Sequence, residues 1–447
     1  MSIYDNAGVA LIPSGTKASK LYSVLPANGD GDFNATRGST ATRVNKDGFI
    51  ESVATNVPRL DYPLIDGVVQ DCPALLLEPS RTNLITYSED FTQWTNTGSE
   101  TTDTADAAIS PDGSLNATKL QEANSSFGYH RLSKSITASA ATNYALSIFA
   151  KKGTQKYVQL LLLNTGDSFT ASKVFDLENG TLGETITNGT ATLTDAKIED
   201  FGNGWYRCTI IAQLSTAPNT FRINLANAAT GNTTSLGMVQ YTGNSSGNIF
   251  IWGAQLEQAN YATSYIPTTS STVTRSADVC NGSGTSAEFN DSEGVLFIES
   301  SNISNDGTFK FVSLSDGTLN NTVWIYYRSD TNQINFRVLS GGSSSFDEIY
   351  TINDSTLISK LCLKYKENDF SAWVNGFEVL TDTSGSTFSS GTLTTLEFNR
   401  QDDTNFFYGN TKQLMTFKTA LTDSELETLT SWDSFNAMAK GQLYTIE

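Results

Sequence analysis

The sequence predicts an all-β protein made of two antiparallel β-sandwiches, and three observations carry that prediction. Charged residues are only 17% of the 447 residues, against about 25% in ordinary globular chains. Aromatic residues reach 11%, which favours strands and supplies core volume, whereas charged helix formers are scarce. Short runs of alternating polarity recur between Gly- and Asn-bearing turn signals, and no helical period of useful length interrupts them until the C-terminal end. Helical bundles and coiled coils are excluded on these grounds. Disorder is excluded by the aromatic content.

Along the chain, residues 1–83 come first, a turn-rich segment without regular periodicity. Lys17, Lys20, Arg37, Arg43, Lys46 and Arg59 make its first sixty residues near neutral, while the rest of the chain is acidic. That shift suggests a separate role, an N-terminal anchor that could be deleted without unfolding the remainder of the chain. Residues 84–267 read as the first sandwich, with strands such as Asn143-Tyr-Ala-Leu-Ser-Ile-Phe-Ala150, Trp205-Tyr-Arg-Cys-Thr-Ile-Ile211 and Asn248-Ile-Phe-Ile-Trp-Gly253. Asn164-Thr-Gly and similar triplets mark the turns between them. Residues 268–286, rich in Ser, Thr and Gly, read as a linker. Residues 287–447 resume the strand pattern, with an Asn375-Gly376 hairpin turn. A helix comes next, with Thr422 as N-cap, Glu425 closing a capping box, and Leu426, Leu429 and Trp432 as its apolar stripe.

Composition also bounds function. The chain carries 28 basic and 47 acidic residues, a net charge of −19, and an isoelectric point near 4.5. Such a surface neither displaces counterions from nucleic-acid phosphates nor docks on anionic lipid. No run is long and apolar enough for membrane insertion, and no signal peptide is evident. Cys72, Cys208, Cys280 and Cys362 lie far apart, and His130 is the only histidine, so zinc-ligand spacing is missing. Four scattered thiols fit a protein made in a reducing cytosol rather than a disulfide-stapled secreted scaffold.

Several motifs resemble a known family. Ser39-Thr-Ala-Thr-Arg43, Gly48-Phe-Ile-Glu51, Asn56-Val-Pro-Arg-Leu-Asp-Tyr62, Cys72-Pro-Ala-Leu-Leu-Leu-Glu78, Arg81-Thr-Asn-Leu84 and Tyr87-Ser-Glu-Asp-Phe91 resemble the leader of tailed-phage virion fibre, spike and appendage proteins. Gly204-Trp-Tyr-Arg207, Gly253-Ala-Gln-Leu-Glu257 and Tyr265-Ile-Pro-Thr with Thr274-Arg275 are similar to the carbohydrate-binding-module-like jelly roll that comes after such a leader. Trp373-Val-Asn-Gly376 and Phe417-Lys-Thr-Ala-Leu421 resemble the close of a laminin-G or concanavalin-A-like lectin domain. The resemblance implies a protein on the virion surface, joined to capsid or tail proteins through its N-terminal segment and binding host or environmental glycans. Fibres of this kind are commonly symmetric, and a homotrimer is favoured over a dimer.

Glycan binding needs an aromatic face flanked by amides, carboxylates or guanidinium groups. The run Asn399-Arg-Gln-Asp-Asp-Thr-Asn-Phe-Phe-Tyr408 offers all of these, with Arg400, Asp402, Asp403, Asn405 and Tyr408 as candidate contacts. Asp402 and Asp403 are equally candidates for a structural calcium ion, and the run also reads as an ordinary turn with core aromatics. Tyr129 and His130 form a weaker second cluster. Trp205, Trp252 and Trp373 read as core, and Trp324 and Tyr326 share one strand face opposite Tyr327.

No enzyme is expected. Glu288, Asp291 and Glu293 lack the spacing of a glucanase carboxylate set, and no Gly-x-Ser-x-Gly elbow occurs. A purely structural decoration protein and a polysaccharide depolymerase are the alternatives, since carboxylates on separate strands leave no motif.

Overall fold

The computed structural model describes residues 3–96, 100–164, 168, 170–434 and 437. The expected Asn164-Thr-Gly turn falls largely outside them, as do residues 438–447. Within them the chain is β throughout, with one α-helix, Asp423–Thr430, and two short 3-10 turns.

The first sandwich packs two antiparallel sheets. One runs in the order Thr101–Ile109, Leu115–Glu122, Asn248–Glu257, Asn143–Lys152, Trp205–Gln213, Thr192–Asp200, and the other in the order Arg131–Ser135, Thr220–Ala226, Tyr157–Leu163, Thr170–Asp176, Thr181–Asn188. Alternation decides which side chains meet between them: Leu146 and Ile148 oppose Leu160, Leu162, Ile223 and Leu225 in one buried cluster.

The second sandwich pairs an eight-stranded sheet with a five-stranded one. Leu296, Ile298, Leu361 and Leu363 face Val323, Ile325, Ile334 and Phe336 across its core. On the outer side of the larger sheet, Val295, Phe297, Trp373 and Met415 are covered by Leu426 and Leu429 of the helix. Thr422 and Glu425 form the expected capping box. Trp432 lies beyond the helix, where the Lys360 ammonium sits 5.6 Å from its ring. Asn375 and Gly376 both take positive φ between Phe370–Val374 and Phe377–Asp382, as a two-residue hairpin turn requires.

Residues 1–83 do not stand apart as an irregular segment. Strands Ala7–Leu11 and Ala74–Leu77 both pair antiparallel with Gly409–Phe417, and Arg59–Asp61 extends the same sheet. Val9, Leu11, Leu21, Phe33, Leu75 and Leu77 belong to the core of the second sandwich. Residues 268–286 are not a free linker either. Val273–Arg275 pairs with Arg81–Asn83, and Val279–Asn281 pairs with Phe33–Thr36. The first sandwich is therefore inserted into the second, through a two-stranded neck.

Buried charge locks the junction. Arg59, 0% exposed, donates from Nη1 to Glu78 Oε2 at 2.7 Å and from Nη2 to Asp278. Arg275 pairs with Glu78 at 2.7 Å, and Arg37 with Asp278 at 2.9 Å. Ser264 Oγ donates to Glu78 at 2.6 Å. Charges buried this deeply persist only when paired and hydrogen-bonded. Burial alone would raise the Glu78 pKa, but Arg275 and Arg59 outweigh it and hold the carboxyl at about 2.

Candidate functional site

The five-stranded sheet of the second sandwich runs Ser343–Thr351, Gln333–Ser340, Thr322–Tyr327, Lys310–Ser315, Thr395–Glu397. Strand alternation sends Val323, Ile325 and Tyr327 inward and Trp324 and Tyr326 outward, as expected from the sequence. Register then builds a row across the outer face. Glu397 stands opposite Ser313, Ser313 opposite Trp324, Trp324 opposite Arg337, and Arg337 opposite Asp347. A neighbouring row holds Phe311, Tyr326, Asn335 and Ile349.

Phe311 and Tyr326 stack with centroids 4.1 Å apart, and Phe311 meets Trp324 edge-on at 5.3 Å. Trp324 Nε1 donates to Gln401 Oε1 at 3.0 Å, which ties the 399–408 loop to this face. The Arg337 guanidinium lies 5.7 Å from the Trp324 ring centroid, and its Nε is 3.2 Å from Asp347 Oδ2. Tyr326 Oη donates to Asn335 Oδ1 at 2.6 Å. Trp324 and Tyr326 are only 4% and 6% exposed, so these aromatics form the floor rather than the open surface. What solvent meets is Phe309, 36% exposed, with Arg337, Asp347, Ile349 and the turn around Arg400. Glu397, half-buried, has its pKa raised by burial first and by Asp403 second, with Thr395 opposing.

The candidate loop divides. Arg400, Asp402, Asp403 and Asn405 form a tight turn at the rim, with positive φ at Asp403 and Asn405. Arg400 N donates to Thr404 O at 3.1 Å, and Arg400 Nε lies 3.7 Å from Asp402 Oδ2. The carboxylates serve this turn: Asp402 accepts from Thr404 Oγ1 at 2.5 Å and Asp403 from Asn399 Nδ2 at 3.1 Å. Among the described residues no three His, Cys, Asp or Glu side chains gather as metal ligands. Tyr408 leaves the turn and packs against the core. Its pKa is pushed up to about 12 by burial and then by Asp278, against Arg81 and Arg275.

The second cluster divides too. Tyr129 is half-buried on the first sandwich with the Arg131 guanidinium 4.4 Å from its ring centroid. His130 is 1% exposed and lies against Tyr241, ring centroids 4.6 Å apart, which corrects its assignment as a sugar contact. Trp205, Trp252 and Trp373 are buried as expected. Trp205 and Trp252 nevertheless fill the joint between the first sandwich and Ile50 of the leader rather than a sandwich interior.

Sequence reasoning missed Arg337, Asp347, Asn335 and Glu397. Polar alternation in Gln333-Ile-Asn-Phe-Arg-Val338 was the available signal. Which residues stand opposite Trp324 is set by register, and a single strand does not encode that.

No family model matches the chain, and no curated protein matches it. Solved structures do. The Ruminococcus gnavus IT-sialidase CBM40 bound to α2,3 sialyllactose is 16% identical over 34% of this chain and 94% of its own, with a TM-score of 0.29. Domains LG4-5 of the mouse laminin α1 chain are 8% identical over 66% and 86%, with a TM-score of 0.23. Trypanosoma rangeli sialidase in complex with the inhibitor DANA is 10% identical over 94% and 83%, with a TM-score of 0.28. At this level the likeness reaches no further than the β fold.

Proposed function

We propose that this protein is a fibre or appendage on the surface of a tailed-phage particle, and that it binds glycans without catalysis through the outer face of its second sandwich. The row Glu397–Ser313–Trp324–Arg337–Asp347 beside the Arg400 turn carries the glycan reading. A sugar presents apolar C–H faces and a ring of hydroxyls. Phe309 offers an apolar face to the first, and the Arg337–Asp347 pair and Arg400 offer donors and acceptors to the second.

The virion half of the reading rests on the leader motifs. It is supported by exposed Ile12, Tyr22 and Val24, which lie on stretches joined by Tyr22 N to Gly15 O and Val24 N to Ala10 O hydrogen bonds. These give a capsid or tail protein, or sister copies in a homotrimer, apolar surface to cover. The absence of catalysis is supported by the nearest acidic set. Glu288 accepts from Thr285 N and Oγ1, Asp291 from the amides of Gly391, Thr392 and Leu393, and Glu293 pairs with Lys366. Each acid serves a turn or a strand pair.

A glycan array on the intact protein tests this. Arg337→Ala and Arg400→Ala should each weaken the array's best ligand about tenfold, near 1.4 kcal/mol, as loss of a charge-assisted contact does. Arg400 is on the rim and the Arg337 side chain, in the outer-face row, is 31% exposed, so melting temperature should stay within about 2 °C. Equal loss of binding and stability would make these side chains packing groups. Release of reducing ends from host polysaccharide would make the protein a depolymerase instead.

A further inference from the structure

A cleft opens where the first sandwich meets loops of the second. It encloses about 310 Å³ and is lined by Asp195, Lys197, Glu199, Thr209, Tyr261 and Asn305, among others. A second hollow of about 280 Å³ adjoins it, sharing Asn260 and Tyr261 and reaching Asn143, Arg81 and Asp306.

Two buried polar atoms along this cleft lack partners. Thr209 is 4% exposed, and its Oγ1 has no hydrogen bond. Asn143 Oδ1 is likewise unpaired, although its Nδ2 donates to Asn260 Oδ1 at 2.9 Å. Leaving such groups dry costs roughly 1–3 kcal/mol each, so something polar belongs beside them.

The lining narrows its chemistry. Asp195, Lys197 and Glu199 lie at alternate positions on strand Thr192–Asp200, with Lys197 opposite Thr209 in register. Alternate strand residues repeat roughly every 6.7 Å, so the two carboxylates stand about 13 Å apart. Calcium bonds of about 2.3–2.6 Å cannot span that gap, and no three ligating side chains converge among the described residues. Asp195 and Glu199 outnumber Lys197, so the cleft lining carries a net negative charge that disfavours an anion, while Asp306 in the adjoining hollow is paired with Lys310 Nζ at 2.6 Å. Arg81, hydrogen-bonded to Tyr261 Oη and to Ser80 O at 3.0 Å each, lies in the adjoining hollow and not in the cleft itself. An apolar ligand would strand the unpaired atoms. An extended, neutral, polyhydroxylated molecule satisfies the hydroxyl, amide and carboxylate groups together, and the Tyr261 ring can take one of its C–H faces.

We infer that this interdomain cleft is a second binding site, distinct from the outer face of the five-stranded sheet, and that its ligand is a neutral oligosaccharide. The test uses the full chain carrying Arg337→Ala and Arg400→Ala, which silences the outer face. Linear neutral hexasaccharides of glucan, mannan and galactan type are titrated calorimetrically, with hexagalacturonate as the anionic comparator. At least one neutral hexasaccharide should bind, and hexagalacturonate should bind at least tenfold more weakly. Adding Thr209→Val should weaken the neutral ligand at least tenfold while leaving melting temperature unchanged or raised, because it removes an unpaired buried hydroxyl. Glu199→Gln gives a second reading on an exposed residue that does not hold the fold.

Three results would overturn the inference. One is no neutral binding in that background at millimolar sugar, which means that the cleft holds only water. Another is binding indifferent to both Thr209→Val and Glu199→Gln. The third is a fall in melting temperature with Thr209→Val, which shows that the hydroxyl is already satisfied. If the background variant instead binds every sugar as well as the unaltered chain does, the outer-face reading fails while this one stands.

Discussion

Glu78 shows how a legible motif can have an illegible purpose. Arg59, Glu78, Asn83, Gln255, Glu257 and Arg275 all fall in the stretches that carry the family resemblance, and all are buried at the junction. Asn83 Nδ2 donates to Ala254 O and Ile266 O while its Oδ1 accepts from Ile85 and Leu256. These residues hold domains together and do not face a ligand, which a pattern of letters cannot distinguish from a site. The physical reading has a pH consequence. The folded pKa of Glu78, about 2, lies below its ordinary value of 4.5. Its stabilisation is therefore complete above about pH 4.5 and is lost as pH falls through about 2. Glu78→Gln keeps the shape but leaves Arg275 without its ion-pair partner and Arg59 with Asp278 alone, and should cost about 3–5 kcal/mol at pH 7. Denaturant melts from pH 2.5 to 7 should show the variant's deficit shrinking toward low pH. A deficit constant across that range would place the stabilisation outside this ion network.

Elements were legible where both faces of a strand differ and obscure where they do not. Asn143–Lys152, Tyr157–Leu163, Trp205–Gln213 and Gln333–Ser340 announce themselves by apolar residues at alternate or continuous positions. Edge strands Thr101–Ile109 and Thr192–Asp200 are mostly exposed and carry little apolar signal, so no alternation marked them. Gly409–Phe417 begins Gly-Asn-Thr-Lys-Gln and carries little apolar signal there, yet it pairs on one side with Glu293–Asn302 and on the other with Ala7–Leu11 and Ala74–Leu77. Strands Ala7–Leu11 and Ala74–Leu77 were hidden for a related reason, because their partner Gly409–Phe417 lies more than 300 positions away and local periodicity is blind to such pairing. Val9 and Leu11 are fully buried, and each is worth about 1.5–3 kcal/mol of transfer. Removing residues 1–12 should therefore destabilise the second sandwich by about 3–6 kcal/mol and bare one edge of Gly409–Phe417. Hydrogen exchange would check this: amides at 414–417 should lose protection, while those at 158–163 should keep it. Unchanged protection at both would show that the first strand is dispensable.

At the scale of the whole molecule the order of elements in space is not their order in sequence. The chain builds part of the second sandwich with residues 7–77, leaves to form the first, and returns through Val273–Arg275 beside Arg81–Asn83. Composition suggested three consecutive pieces. Composition cannot report nesting, because the Ser/Thr/Gly-rich return strand looks like any linker. Nesting changes what can be cut. Arg37, Arg59, Glu78, Arg275 and Asp278, the five charged members of the junction network, all lie outside residues 84–272. Asn83 and Val273 are direct partners in the neck, so an Asn-Gly turn can close the gap after excision. The excised chain, residues 1–83 joined to 273–447, should fold as a β protein with the network's ion pairs intact, although it loses the Ser264 hydrogen bonds to Glu78. It will expose Ile50, which now packs with Trp205 and Trp252, and so should be less soluble than the parent. Residues 84–447 alone should fail in the second sandwich, since they lack Val9, Leu11, Leu60, Leu75 and Leu77 from its core. Dispersed amide resonances, compared between the two products, decide the matter. The excised chain should show one well-dispersed set, and the truncated chain should show dispersion only for residues of the first sandwich. If 84–447 gives a fully dispersed spectrum and the excised chain does not, the leader is an appendage after all and the nested topology is refuted.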